Sequence, residues 1–135
     1  MVLNVFTDGG SKGNPGPSAI GISIIKENTE VVKYREDIGI ATNNIAEYRA
    51  VIKALELIKS NVSGFMLQVS EIVFHSDSTL LVNQVNGLYK VKNAKIREFI
   101  MQIRILEQEI RIPITYKYIP REKNFRADSL VNSKD

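Results

Sequence analysis

Apolar residues recur along the chain with two different periods, and the switches between them predict its elements. Residues 2–7 are a short β-rich run followed by Gly9 and Gly10, which predicts a strand broken at the glycines. In 19–26, Ile20, Ile22 and Ile24 recur at every second position, and 30–38 continues as a second, polar-edged strand after a turn at Asn28-Thr29. These three runs predict an antiparallel meander. The spacing then becomes helical over 44–59, where Ile45, Val51, Ile52, Leu55 and Ile58 share a stripe and Asn43 or Asn44 is placed to cap the start. A buried strand is predicted over 71–76, a short helix over 78–86 stopped by Gly87, and a longer helix over 93–110 with Ile96, Phe99, Ile100, Ile103 and Ile110 on its apolar side. A last strand over 114–119 ends at Pro120, and a terminal helix from about Asn124 turns Ala127, Leu130 and Val131 inward. The order βββαβααβα predicts an α/β domain, a meander joined to parallel strands by right-handed crossovers.

Composition narrows the chemistry that such a domain can host. The 135 residues suit one domain spanning 1–135. There is no cysteine and one histidine, so disulfides, thiolate nucleophiles and zinc sites built from cysteine or several histidines are excluded. His75 falls inside a predicted strand and reads as a sheet or core residue rather than a ligand. Charge is unevenly spread: residues 90–135 carry 11 basic and 6 acidic side chains, against 7 basic and 9 acidic in residues 1–89. The last third is therefore the candidate surface for an anionic partner. With no apolar run near the ~18 residues of a membrane span and no leader-like start, the chain is expected to be cytoplasmic.

Four acids fall where ligands gather in an α/β sheet, near the carboxyl ends of parallel strands. Asp8 follows the first strand, Asp77 the fourth, Glu47 lies in the first turn of the first long helix, and Asp128 in the last helix. Taken singly, each has an ordinary structural explanation. Glu47 could complete a capping box with Asn44 or complement the helix dipole, Asp8-Gly9 could be a turn, and Asp128 could be a solvated helix residue. Taken together, four carboxylates would repel one another, and an oxygen-preferring divalent cation is what makes such a cluster tolerable.

The flanking residues sharpen this picture. Thr7-Asp8-Gly9-Gly10-Ser11-Lys12-Gly13-Asn14-Pro15-Gly16-Pro17, Thr42-Asn43-Asn44-Ile45-Ala46-Glu47, Ser76-Asp77-Ser78 and Asn124-Phe125-Arg126-Ala127-Asp128 occur in that order. In them the chain closely resembles the ribonuclease H family of the small single-domain type. The resemblance implies a five-stranded mixed sheet with helices on both faces, and an endonuclease that cuts the RNA strand of RNA–DNA hybrids. It makes Asp8, Glu47, Asp77 and Asp128 the ligands of two Mg²⁺ or Mn²⁺ ions about 4 Å apart, and the products 5′-phosphates and 3′-hydroxyls. It also implies hybrid contacts from Gly9 and Gly10, whose missing side chains let backbone approach the minor groove, and from Asn14, Thr42, Asn43, Asn44, Gln84 and Asn124.

Two departures from the family stand out. Where many members carry a histidine on the loop before the last helix, this chain reads Tyr118-Ile119-Pro120-Arg121-Glu122-Lys123. Arg121 is the candidate substitute: it cannot act as a base, but it can bind phosphate or orient a leaving group, and a solvated loop cation is the alternative. The basic protrusion of some members is also missing. The short segment 87–95 keeps Lys90, Lys92 and Lys95, with Tyr89 available to stack on a sugar or pack beneath the loop, so modest affinity and marked salt dependence are expected. Three further readings remain open: double-stranded RNA as a second substrate, a duplex-binding module without catalysis, and a nuclease of the same superfold acting on DNA, such as a resolvase, integrase or exonuclease. A monomer is expected.

Overall fold

The computed structural model describes residues 1–133. Five strands, β1 (Val2–Ser11), β2 (Gly16–Lys26), β3 (Thr29–Ala41), β4 (Glu71–Ser76) and β5 (Ile114–Tyr118), form one sheet in the order β3-β2-β1-β4-β5. The first three are antiparallel, while β4 pairs parallel to β1 and β5 parallel to β4. The helices are α1 (Asn43–Lys59), α2 (Thr79–Val85), α3 (Ala94–Ile110) and α4 (Phe125–Val131), with a single 3-10 turn at Arg121–Lys123. This is the mixed sheet expected from the alternation of periods.

The sheet divides the helices between its faces. Leu3 and Val5 of β1 and Ile20, Ile22 and Ile24 of β2 share one core with Tyr48, Val51 and Leu55 of α1, Leu81 and Val85 of α2, and Ile96, Phe99 and Ile103 of α3. Each large side chain buried there is worth about 1.5–3 kcal/mol. The helix α4 lies alone on the opposite face, where a Cβ on Gly21 would meet Ala127 O at 2.5 Å and Leu130 Cβ at 2.9 Å.

One expectation fails instructively. The first strand does not break at Gly9 and Gly10 but runs on to Ser11, paired with β2 through Gly9–Ile20 and Gly10–Ala19. Those glycines serve close packing rather than a turn: a Cβ on Gly9 would lie 2.3 Å from the Ala46 carbonyl carbon. The first turn of α1 therefore rests directly on the β1 backbone. The hairpin tip falls at residues 12–15 instead, closed by Lys12 N donating to Pro17 O at 2.8 Å.

Candidate active site

Packing of α1 against Gly9 decides where Glu47 goes. Its Oε1 accepts a 2.6 Å hydrogen bond from Gly9 N, so the carboxylate is spent on β1 and not on a capping box. Neither Asn43 nor Asn44 caps α1: Thr42 does, its hydroxyl accepting from Ile45 N at 3.2 Å. Asp8 sits beside Glu47 on β1, only 4% exposed. Asp77 leaves β4 just before Ser78, whose hydroxyl caps α2 by accepting from Leu81 N. One carboxylate oxygen from each of Asp8, Glu47 and Asp77 lies within 4.8 Å of the others.

The fourth acid is held differently. Asp128 lies outside that tight group, its Oδ1 accepting from Asn132 Nδ2 at 3.2 Å and standing 3.8 Å from Arg121 Nε. Its charge still bears on Asp8. Burial, then Glu47, Asp77 and Asp128, push the Asp8 carboxyl up to about 10, and burial lifts Glu47 to about 7 against the lowering effect of its bonds to Asp8 and Gly9. Without a cation these groups hold protons that ordinary carboxylates release.

The three acids open into a cleft of about 770 Å³. Gly9, Gly10, Asn14, Asn43, Asn44, Arg121 and Asp128 line it, as do Lys12, Arg35, Ile40 and Leu80. Lys12 flanks the glycine hairpin and could have been suspected from that place. Arg35, Ile40 and Leu80 carry no local sequence signal. Asn43 accepts from Ser11 N at 2.8 Å, and Asn14 accepts from Asn43 N at 2.9 Å, so the hairpin tip is tied to the start of α1 through side-chain oxygens. Both amide NH₂ groups then remain as donors.

Other residues expected at the site lie elsewhere. Thr42 is the N-cap of α1 and does not line the cleft, and Gln84 accepts from the buried Tyr48 hydroxyl at 2.8 Å. Lys90 and Lys92 are exposed on the segment after α2 and are not among the residues lining the cleft. Asn124 is fully buried: its Nδ2 donates to Thr7 O at 2.9 Å and to Asp77 Oδ2 at 3.3 Å, which places it behind the carboxylates. His75 stays in the sheet, stacked on Phe6 at 4.6 Å and bonded to Asn4 at 2.9 Å, with its pKa lowered by burial.

The donor set suits a hard divalent cation. It consists of carboxylate oxygens, with no nitrogen or sulfur among the clustered side chains, and Asn124 Oδ1 nearby is a buried oxygen with no hydrogen-bond partner among the described residues. Sheet order, crossover pattern and an acid cluster at the carboxyl ends of β1 and β4 define the class: an α/β domain of ribonuclease H topology. The family described as "Reverse transcriptase-like" matches residues 6–134. Among solved structures, LC11-RNase H1, in a complex with RNA/DNA hybrid, is 40% identical with a TM-score of 0.88, over 96% of this chain and 94% of that one. RNase H1 of Halobacterium salinarum is 32% identical with a TM-score of 0.85, over 98% and 96% of the two chains. The "Bifunctional protein Rv2228c" of Mycobacterium tuberculosis is 35% identical over 98% of this chain, which spans only 35% of that relative's length. The chain belongs to the ribonuclease H family. Among the described residues no helix is long and apolar enough to cross a membrane.

Proposed function

We propose that the chain is an endoribonuclease that hydrolyses the RNA strand of RNA–DNA hybrids, leaving 5′-phosphate and 3′-hydroxyl ends. The observation that carries this reading is the gathering of Asp8, Glu47 and Asp77 within 4.8 Å at the floor of an open cleft. These three, with Asp128, would hold two Mg²⁺ or Mn²⁺ ions. When bound, such ions supply an activated water and stabilise charge on the leaving 3′ oxygen.

The chain's own groups do the rest. Gly9 N fixes Glu47 and Asn124 fixes Asp77, so two of the acids are aimed before any substrate arrives. The amide NH₂ groups of Asn14 and Asn43 are neutral donors on the cleft wall, suited to 2′-hydroxyl and phosphate oxygens, and Asn44 lines the same wall. Gly9 and Gly10 line that wall with backbone alone, their Cβ positions being taken up by Ala46 of α1 and Val131 of α4. Arg121, which also lines the cleft, offers a permanent cation to phosphate, which is the role left to it without a titratable ring. Gln84, Lys90 and Lys92 lie outside the cleft and would meet a duplex that runs past it, the lysines through charge. The bound hybrid of LC11-RNase H1 supports the substrate class. A monomer in the cytoplasm completes the proposal.

The test is incubation of end-labelled RNA–DNA hybrid, double-stranded RNA and double-stranded DNA with Mg²⁺, Mn²⁺ or EDTA. Metal-dependent cutting confined to the hybrid's RNA strand is expected. Cutting of double-stranded RNA as well would mean looser sugar discrimination. A hybrid bound but intact with both metals would favour the binding-module reading, and cleavage of the DNA duplex would favour another nuclease of the superfold.

A further inference from the structure

We propose that Arg35 is a positioning residue for Asp128, acting through the backbone of α4. The inference rests on the reading of the acid cluster as a cation site. Asp8, Gly21 and Arg35 are paired across β1, β2 and β3, which puts their side chains in one row on the same face of the sheet. The middle member has no side chain, and α4 fills that gap: a Cβ on Gly21 would collide with Ala127 O. Asp8 therefore stands on one side of the helix and Arg35 on the other.

Arg35 grips the helix from its side. Its Nε donates to Leu130 O at 2.8 Å, two residues beyond Asp128, while a terminal nitrogen pairs with Asp37 Oδ1 at 2.9 Å. A planar guanidinium serves both partners at once, and its charge suits the carbonyl end of a helix. The helix is only seven residues long, and Ala127 is its one fully buried residue. Its start is tied to β1 by Asn124 Nδ2 on Thr7 O, and its last turn to β3 by Arg35. Asp128 lies between these two ties. The groups that hold its carboxylate, Asn132 and Arg121, belong to the same terminal segment and cannot fix that segment against the sheet. The distance from Asp128 to the other acids is set by the docking of α4, and Arg35 completes that docking.

The test is Mn²⁺ binding to the protein alone, by calorimetry, in the wild type, Arg35→Met, Asp128→Asn and the double variant. Arg35→Met should weaken binding about 10-fold in the wild-type background. With Asp128 already replaced, it should add less than about twofold, because its effect passes through that carboxylate. Arg35→Lys keeps the charge and the apolar stem but loses the two-way fork; it carries the same comparison should the methionine variant fold poorly, with a smaller loss expected. An equal loss in both backgrounds, or none in either, would overturn the proposal. A wild type that binds no Mn²⁺ would instead overturn the cation-site reading itself, and this inference with it.

Discussion

The two halves of the acid cluster are built to different standards. Asp8, Glu47 and Asp77 stand on β1, α1 and the end of β4, elements whose other residues form the main core, and Asp8 and Glu47 are almost wholly buried. Asp128 stands on a seven-residue helix laid over the far face of the sheet, its side chain 29% exposed and bonded only to near neighbours in sequence. The first three are held by elements of the main core. The fourth is docked on the sheet over the Gly21 gap and by two long-range hydrogen bonds. Were the four acids to hold cations, three carboxylates would be placed by the main core and the fourth by the docking of a short helix.

Substitutions can break that comparison from either side. The largest effect is expected from Asp77→Asn: cleavage should fall about 10³-fold or more, and the melting temperature should hold or rise, because a repulsive carboxylate has been neutralised. Wild-type cleavage by this variant would remove Asp77 from the site. Asp128→Asn should cost less, about 10- to 100-fold, and raising the metal concentration should recover part of it. Equal losses for both variants in a single-turnover assay would erase the distinction drawn between the halves.

The two packing glycines make a second, smaller contrast. Gly9→Ala drives a methyl into the backbone of α1 and breaks the Glu47 bond, so chemical denaturation should show a loss of about 3 kcal/mol. Gly21→Ala lifts only α4; about 1–2 kcal/mol is expected, with Mn²⁺ affinity reduced in the manner of Arg35→Met. The smallest effects belong to the exposed lysines. Lys90→Ala and Lys92→Ala should each lower the slope of log binding constant against log salt by about one, measured by hybrid titration.

How much of this was legible in the sequence follows the same division. The period-two isoleucines of β2 and the helical stripes of α1 and α3 report burial directly, and the meander of β1 to β3 follows from its short connections, whereas the place of β4 beside β1 is shown by the fold. Reading failed where a residue type serves two purposes. Gly9 and Gly10 read as a strand break because glycine commonly marks turns, whereas here its lack of a side chain lets α1 touch β1. The segment 60–70 shows no period, yet it drops Met66 and Val69 into the core by turns alone. At the site, the four acids could be named from their flanking segments. Asn124 and Arg35 could not be given their positioning roles, because the partners they hold, Thr7 and Leu130, are 117 and 95 residues away. Asn124 was expected to touch substrate, and burial instead sets it behind Asp77.

If the buried acids form one cation centre, the melting temperature must depend on pH and on Mg²⁺ together. Folding raises the Asp8 pKa from 3.8 to about 10 and that of Glu47 from 4.5 to about 7. The folded chain therefore holds protons that the unfolded chain has released, so stability is greatest below the ordinary carboxylate range and falls as pH rises through the folded values. Without metal, the melting temperature should decline from about pH 5 to about pH 9, and Asp8→Asn should flatten that decline. Mg²⁺ should raise the melting temperature, and more so at the alkaline end, where the carboxylates are free to bind it. A metal-free curve that stays level or climbs over this range, with no shift on adding Mg²⁺ at any pH, would contradict the account.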